Sequence, residues 1–238
     1  MSLVSPSPAP PGTGPRAIVF DLDGTLVDSV PDLHAATATF LAERGHAPLD
    51  LATVIGFVGN GVPVLLERVL RAVGEAADAE SLQAALPRFN EIYGAAPAAL
   101  SKLYPGVAEA LAALAADGHA LGVCTNKPEG PARRIIEEMG IAGFIAALTG
   151  GDSLAVRKPD PAPLRHTAGL LQAELTSVVY VGDSEVDAAT AAAAGVPFVL
   201  FTEGYRKSPV AEITHQAIFD DFAVLPDLVA ALSRDLAS

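Results

Sequence analysis

The chain has 238 residues, 50% of them hydrophobic, and a formal net charge of −13. Its length allows one large domain or a core with a smaller satellite, and its charge disfavours nucleic acids and anionic membranes, which bind basic surfaces. No apolar run reaches the roughly 20 residues that span a bilayer, and the Pro-rich opening lacks the features of a secretory signal. We therefore expect a cytoplasmic protein.

Residues 1–16 are rich in Pro, Ser and Gly, a composition that predicts a disordered tail. The single cysteine, Cys124, excludes an internal disulfide and a cysteine-based metal site. The five histidines form no pair at metal-ligand spacing. The sequence therefore gives no sign of redox chemistry or of a histidine-based metal site.

From Ala17 onward, short apolar runs alternate with helical patterns. This alternation predicts an α/β fold with a Rossmann-like parallel-sheet core and helices on both faces. Gly118, Gly140 and Gly195 are placed to end three of the helices. The predicted strands cover residues 17–21, 120–125, 145–149, 177–182 and 197–201.

One region breaks the alternation, because residues 29–102 contain helical patterns but no convincing strand. We predict that this region is an inserted all-helical cap domain and that residues 17–28 and 103–238 form the core domain. The insertion directly follows the first strand, so the cap is expected to lie over the end of the sheet where that strand emerges.

Two aspartates end the first predicted strand, and the spacing of Asp21 and Asp23 places both side chains on one face. Two carboxylates at the end of a buried strand repel each other unless a cation lies between them. A divalent cation that prefers oxygen ligands is the natural candidate. An ordinary capped turn would leave unexplained why so apolar a strand delivers two acids on one side.

Further polar residues follow or precede the other predicted strands, at the edge of the sheet where parallel folds bind ligands. Taken singly, each motif is common in turns, loops and helix starts. Together, in this order, they suit a phosphoryl group and a metal ion. They are Thr125-Asn126-Lys127 after the second strand, Lys158 before the fourth, and Asp183 and Asp187 after the fourth.

With these four motifs the chain resembles the haloacid dehalogenase-like hydrolases that carry a helical cap. The resemblance implies a nucleophile at Asp21, an acid/base at Asp23, and phosphate binding by Thr125 and Lys158. It also implies a Mg²⁺ ion bound by Asp21, by the backbone carbonyl of Asp23, and by Asp183. The dehalogenases proper lack the second aspartate, so Asp23 disfavours cleavage of a carbon–halogen bond.

These roles agree with elementary chemistry. A Mg²⁺ ion would screen the repulsion between the Asp21 carboxylate and an anionic phosphate, so that an aspartyl phosphate can form. Asp187 lies one helical turn after Asp183, and we expect it to orient Lys158 or a metal-bound water. Direct metal ligation and a helix N-terminal charge are the alternatives for Asp187. Ser184 is predicted to cap a helix, and Asp28 and Ser29, at the entry to the cap, to serve as a hinge or as helix caps.

Motifs in and around the cap resemble those of bacterial phosphoglycolate phosphatases. They are Gly59-Asn60-Gly61, Leu66-Glu67-Arg68, the segment from Leu103 to Val107, and Gly204-Tyr205-Arg206. The resemblance implies hydrolysis of 2-phosphoglycolate to glycolate and phosphate. Asn60, Arg68 and Asn126 would then bind substrate beside Thr125 and Lys158. Lys127 is a further candidate, although an ordinary loop charge explains it equally well.

Other functions remain open from the sequence. No lysine occurs between Ser29 and Leu100, which disfavours cleavage of carbon–phosphorus bonds through a cap Schiff base. A sugar-phosphate mutase, a broad-specificity phosphatase for small esters or pyrophosphate, and a non-catalytic phosphate-binding protein are the alternatives. The expected partner is a small phosphorylated substrate, and the sequence is compatible with a monomer or a homodimer.

Overall fold

A six-stranded parallel sheet forms the centre of the molecule, with strand order β5-β4-β1-β6-β7-β8. The structure is a computed structural model that describes residues 17–95 and 98–235, so the predicted tail lies outside the described residues. The strands are β1 (Ala17–Phe20), β2 (Val27–Asp28), β3 (Lys102–Leu103), β4 (Ala120–Cys124), β5 (Ile145–Thr149), β6 (Val178–Gly182), β7 (Phe198–Phe201) and β8 (Ala217–Phe219).

All five predicted strands are present, each with bounds within one residue of the prediction. Three short strands were not predicted. β8 has three residues and extends the edge of the main sheet, while β2 and β3 pair with each other in a separate antiparallel ribbon. Strands of two residues are too short to show the alternation by which a strand is recognised.

Helices cover both faces of the sheet, as the sequence predicted. Ile18 and Phe20 of β1 belong to an apolar cluster with residues of α5, α6 and α9, whereas Ala17 and Val19 belong to a second cluster with residues of α7 and α8. Within the described residues, no helix is both long and apolar enough to cross a membrane. These helices are α5 (Val107–Ala116), α6 (Glu129–Glu138), α7 (Ala162–Leu170), α8 (Glu185–Ala194) and α9 (Leu225–Asp235).

The remaining helices lie between β2 and β3 in the chain and pack around an apolar cluster of their own. Phe40, Leu66 and Phe89 are fully buried in this cluster. This insert is called the cap below, and the division into domains at residues 29–102 stays a prediction. Its helices are α1 (Val30–Glu43), α2 (Leu51–Ile55), α3 (Val62–Ala72) and α4 (Ala79–Ala95).

The two chain crossings between core and cap are held side by side. Val27 pairs with Leu103 and Asp28 with Lys102 in the β2–β3 ribbon. Next to the ribbon, the buried Asp32 carboxylate of α1 accepts hydrogen bonds from the backbone N–H of Leu100 (3.0 Å) and of Ser101 (2.7 Å). The ribbon and Asp32 therefore fix where the cap begins relative to where it ends.

Candidate active site

Strand β1 ends at Phe20, one residue earlier than predicted, and Asp21 follows it directly. The Asp21 N–H still donates to Val181 O (2.9 Å), so its backbone is held against β6. The chain then turns at Gly24, which has φ +86° and leaves no room for a side chain, since a Cβ there would lie 2.5 Å from an Asp183 oxygen. This tight turn brings the Asp21–Asp23 segment against the end of β6.

Lys158 is a buried cation in contact with two carboxylates. Its Nζ lies 2.9 Å from Asp21 Oδ1 and donates to Asp187 Oδ1 (2.7 Å) and to the Tyr180 hydroxyl (2.9 Å). Burial by itself would lower the pKa of Lys158, but the charges of Asp187 and Asp21 raise it above its usual value. Lys158 therefore remains an ammonium group, aimed at the carboxyl group predicted to be the nucleophile.

Asp187 is completely buried and satisfied by protein donors. Besides Lys158, Tyr180 donates to its Oδ1 (2.8 Å), while the Ser184 hydroxyl (2.6 Å) and N–H (3.1 Å) donate to its Oδ2. Ser184 caps α8, as predicted, in a reciprocal capping box with Asp187. The Asp187 carboxylate thus ties the start of α8 to Lys158, an arrangement that suits orientation of the lysine.

Asp21, Asp183 and Asp187 converge, and each offers an oxygen within 4.8 Å of the others. Burial raises the pKa of Asp21 to about 7, against the opposing charge of Lys158. Burial, followed by repulsion from Asp187 and Asp21, raises the pKa of Asp183 well above its usual value. Three buried acids with one lysine among them form a site that a further cation would stabilise.

Asp183 is oriented by two donors. The Thr25 hydroxyl donates to Oδ1 (2.9 Å), and the Tyr205 N–H donates to Oδ2 (2.6 Å). The Tyr205 hydroxyl in turn accepts from the N–H groups of Ser29 (2.8 Å) and Val30 (3.1 Å) at the start of α1. One tyrosine therefore connects a candidate metal ligand to the beginning of the cap.

Asp23 faces the cap and pairs with a second buried lysine. Lys127 Nζ donates to Asp23 Oδ1 (3.0 Å) and also to the hydroxyl of Tyr93 on α4. The Ser29 hydroxyl donates to the same Asp23 oxygen (2.5 Å) instead of capping α1, so the capping alternative for Ser29 was wrong. Burial opposes the charge of Lys127, yet the neighbouring Asp23 and Tyr93 raise the pKa of the lysine above its usual value.

A cleft lies between the sheet and the cap, and about 450 Å³ of non-atom space lies within it, open solvent included. Asp21, Asp23 and the loop residues Thr125, Asn126 and Lys127 form the core side of the cleft. The cap side is mainly apolar and consists of Leu33, Val58, Gly59, Gly61, Val62, Leu65 and Tyr93. The structure thus brings five of the predicted or candidate residues to one cavity. A smaller cleft next to it, of about 300 Å³ with open solvent included, is lined by Asp21, Asp23 and Asp183 among others.

Asn126 bridges the two sides of the cleft. Its Nδ2 donates to Gly59 O of the cap (3.1 Å) and to Lys158 O of the core (3.0 Å). Its Oδ1 is buried and accepts no hydrogen bond from the described residues. Thr125 is anchored by its N–H, which donates to Thr149 O (3.0 Å). Asn126 is thus placed to offer an acceptor to a ligand.

Asn60 and Arg68 contact each other rather than the cleft. Arg68 donates to Asn60 Oδ1 (3.1 Å) and to Phe57 O (2.9 Å), and so holds the loop between α2 and α3. The neighbouring residues that line the main cleft are Val58 and Gly59, before Asn60, and Gly61, Val62 and Leu65, between Asn60 and Arg68. Substrate binding by Asn60 and Arg68 stays a prediction.

Sequence reasoning gave no role in the site to three tyrosines, although Tyr205 belongs to one of the motifs that carry the resemblance. The chain has four tyrosines, and Tyr93, Tyr180 and Tyr205 all bond to candidate site residues. A signal was available, because a buried tyrosine hydroxyl needs a hydrogen-bond partner and Tyr180 lies in the otherwise apolar run of β6. Most of the partners could not be predicted, since Lys127, Lys158 and Asp183 lie more than 20 residues from the tyrosines that they contact.

Comparison with known proteins places this site in a family. A family model described as haloacid dehalogenase-like hydrolase matches residues 15–195. A protein named phosphoglycolate phosphatase from Cereibacter sphaeroides is 55% identical over 215 residues, covering 90% of this chain and 98% of the relative. A phosphoglycolate phosphatase from Rhodospirillum rubrum is 50% identical over 217 residues, covering 90% of each chain.

The fold comparison agrees. A crystal structure described as a predicted phosphoglycolate phosphatase from Haemophilus somnus superimposes with a TM-score of 0.84 at 34% identity, covering 90% of this chain and 97% of the other. The family match spans all four motifs, from the first strand to the end of α8. The chain therefore belongs to the haloacid dehalogenase-like hydrolases.

Proposed function

We propose that the protein is a phosphatase that hydrolyses 2-phosphoglycolate to glycolate and inorganic phosphate. The observation that carries the proposal is the meeting of Asp21, Lys158 and Asp183 at the carboxyl edge of the sheet, beneath a cap. The substrate is supported by relatives named phosphoglycolate phosphatase that are 55% and 50% identical to this chain. A cytoplasmic location stays a prediction from the sequence.

A Mg²⁺ ion fits the donor set of this site. Asp21 and Asp183 supply carboxylate oxygens, which hard divalent cations prefer, and their raised pKa values reflect burial and mutual repulsion that a cation would relieve. Asp21 Oδ1 is buried and, within the described residues, accepts no hydrogen bond of normal geometry despite the nearby Lys158. We infer that Asp21, Asp183 and the backbone carbonyl of Asp23 hold the ion, which would neutralise charge between nucleophile and phosphate.

Each residue of the site then has its own role in the reaction. The Asp21 carboxylate attacks phosphorus and forms an aspartyl phosphate, while Lys158 offsets negative charge on Asp21 and on the phosphoryl oxygens. Thr125 and nearby backbone N–H groups hold the phosphoryl group in line with Asp21. Asp23 gives a proton to the leaving glycolate oxygen and later takes one from the water that hydrolyses the intermediate. Asp187 and Tyr180 keep Lys158 in place.

The cap supports hydrolysis of a small ester. Its apolar residues close the cleft above Asp21 and Asp23, which limits access of bulk water and leaves room for a compact substrate. We infer that residues 29–102 act as a domain that selects the organic part of the ester, while residues 17–28 and 103–238 carry the phosphoryl chemistry.

The test of the proposed function is a steady-state panel with Mg²⁺ present. The panel compares 2-phosphoglycolate with hexose phosphates, pyrophosphate and phosphonoacetaldehyde. We expect kcat/KM to be highest for 2-phosphoglycolate by at least roughly 100-fold, because a polar site built for a small acid rejects ligands that leave its groups unpaired. A higher value for a hexose phosphate, or interconversion of two sugar phosphates, would favour the mutase alternative and overturn the proposal.

A further inference from the structure

We propose that Lys127, held in place by Tyr93 of the cap, binds the carboxylate of the substrate and makes the enzyme selective for acidic phosphate esters. This inference rests on the proposed function and names the residue that recognises the organic part of the substrate. Lys127 is then a specificity-determining residue, contributed by the core and positioned by the cap.

The first observation is the composition of the cleft. Lys127 is the only basic side chain among the described residues that line the main cleft. The cap residues around it are mostly aliphatic, including Leu33, Val62 and Leu65. The second anionic group of a substrate bound in this cleft can therefore pair with Lys127. The attraction between the two charges is stronger in these apolar surroundings than in water.

The second observation concerns the groups that contact the ammonium groups of the two buried lysines. Lys158 Nζ donates to Asp187 and to the Tyr180 hydroxyl and lies 2.9 Å from Asp21 Oδ1, so three groups of the core surround it. Lys127 Nζ faces the Asp23 carboxylate and the Tyr93 hydroxyl. It donates to both Asp23 oxygens, at 3.0 Å to Oδ1 and 3.3 Å to Oδ2, and to Tyr93, so two protein groups surround it and the longer bond to Oδ2 is the one that a substrate carboxylate would replace.

The third observation is the burial of Lys127. Its side chain is 3% exposed, so the ammonium group has exchanged bulk water for fixed partners. The Tyr93 ring also lies next to the ammonium, with Nζ 4.9 Å from the ring centroid. Because α4 supplies the tyrosine, the lysine is fully oriented only when the cap lies over the core.

Lys127 lies close to residues assigned to the phosphoryl group and to the leaving oxygen. Thr125 and Lys127 both line the cleft, and the Lys127 N–H donates to Thr125 Oγ1 (3.2 Å). Thr125 is assigned to the phosphoryl group. Lys127 Nζ lies 3.0 Å from Asp23 Oδ1, and Asp23 is assigned to the leaving glycolate oxygen, which one CH₂ group separates from the substrate carboxylate.

Arg68 was predicted to bind substrate, but its contacts make it less suitable than Lys127 as the cation that binds the carboxylate. Its guanidinium is engaged with Phe57 O and Asn60 Oδ1, inside the cap loop. These bonds direct the guanidinium toward its own loop, and Arg68 does not line the cleft among the described residues, whereas Lys127 does.

The test compares two esters of the same length in one variant. The kcat/KM for 2-phosphoglycolate and for ethyl phosphate, which lacks the acid, is measured for wild type and Lys127→Met. We expect the preference for 2-phosphoglycolate to fall by roughly 100-fold or more, as for removal of a buried polar contact to a substrate. Lys127→Arg should recover part of the preference. Lys102→Met, which changes an exposed lysine, is the matched control and should keep it.

Binding without turnover gives a second readout. Calorimetry with Mg²⁺ present compares phosphonoacetate with ethylphosphonate, and we expect Lys127→Met to abolish the tighter binding of phosphonoacetate. Circular dichroism and Tm establish that the variant is folded. Tyr93→Phe keeps the charge and should reduce the preference for phosphonoacetate less than Lys127→Met does.

Three outcomes decide between the proposals. Equal losses for both esters and both phosphonates would show that Lys127 acts through Asp23 and would overturn the inference. A preference fully retained in Lys127→Met would also overturn it, while leaving the proposed function intact. Wild-type protein that does not prefer 2-phosphoglycolate over ethyl phosphate would remove the proposed function and the inference with it.

Discussion

Lys158 is the residue on which the charge balance of the site depends. Its ammonium contacts Asp21 and Asp187, while Tyr180 fixes its direction. The position of Lys158 could be predicted, because parallel strands deliver their following residues to one edge of the sheet. The direction in which the Arg68 side chain points could not be predicted, because it depends on the conformation of the loop to which Arg68 is hydrogen-bonded.

At the residue scale, Asp21→Asn tests the covalent mechanism. An amide is a far poorer nucleophile than a carboxylate, so we expect kcat to fall by roughly 10³-fold or more while the fold is retained. The measurement is phosphate release with Mg²⁺, together with circular dichroism. A variant that keeps more than a small fraction of wild-type activity would contradict an aspartyl phosphate at this position.

Asp183→Asn tests the repulsion among the buried acids. Its amide oxygen can accept from the Tyr205 N–H and its NH₂ can donate to the Thr25 hydroxyl, so both contacts survive without the charge. We expect the metal-free variant to have a higher Tm than wild type, by about 2–4 °C for each kcal/mol of repulsion removed.

Asp183→Asn should also lose most of the rise in Tm that Mg²⁺ causes in wild-type protein. When only the folded protein binds Mg²⁺, an ion concentration of about 100 times the Kd raises the free energy of unfolding by about 2.7 kcal/mol. Differential scanning calorimetry detects this gain as a rise in Tm. Wild-type protein should show the rise and Asp183→Asn should show little of it. Equal rises in both proteins would place the ion elsewhere.

At the scale of secondary-structure elements, long and buried strands could be predicted from the sequence, whereas short strands could not. Strands β1 and β6 are completely buried, so their sequences are continuous apolar runs that the sequence alone reveals. The β2–β3 ribbon has two residues in each strand, and β8 carries the exposed Ile218. These short elements form because of long-range pairing, which no local pattern records.

At the junction between core and cap, the Asp32 side chain alone accepts the hydrogen bonds from the N–H groups of Leu100 and Ser101 that are described above. In Asp32→Ala, the N–H groups of Leu100 and Ser101 would lose their acceptor, and a buried unsatisfied donor costs about 1–3 kcal/mol. We expect the free energy of unfolding, measured with urea, to fall by at least that amount. Asp117→Ala changes an exposed acid and should alter it by less than about 0.5 kcal/mol. Similar values for the two variants would show that Asp32 does not hold the junction.

At the scale of the whole molecule, the charge of −13 affects the metal more than the fold. A strongly negative protein attracts Mg²⁺ over a distance set by ionic strength, about 10 Å at 0.1 M salt and about 30 Å at 0.01 M. We expect the Kd for Mg²⁺ to rise severalfold between these two salt concentrations. Calorimetric titration in NaCl and in choline chloride measures this, and a Kd that does not depend on salt would show that only the local carboxylates matter.

Tyr205 makes the two parts of the enzyme difficult to exchange between relatives. Its N–H holds Asp183, and its hydroxyl holds the backbone at the start of α1. A chimera that joins a foreign cap to this core would keep the tyrosine but could misplace the groups its hydroxyl bonds, and the disturbance would reach Asp183 through the same residue. Grafting a new specificity onto this scaffold therefore requires transplanting the loop after β7 together with the cap.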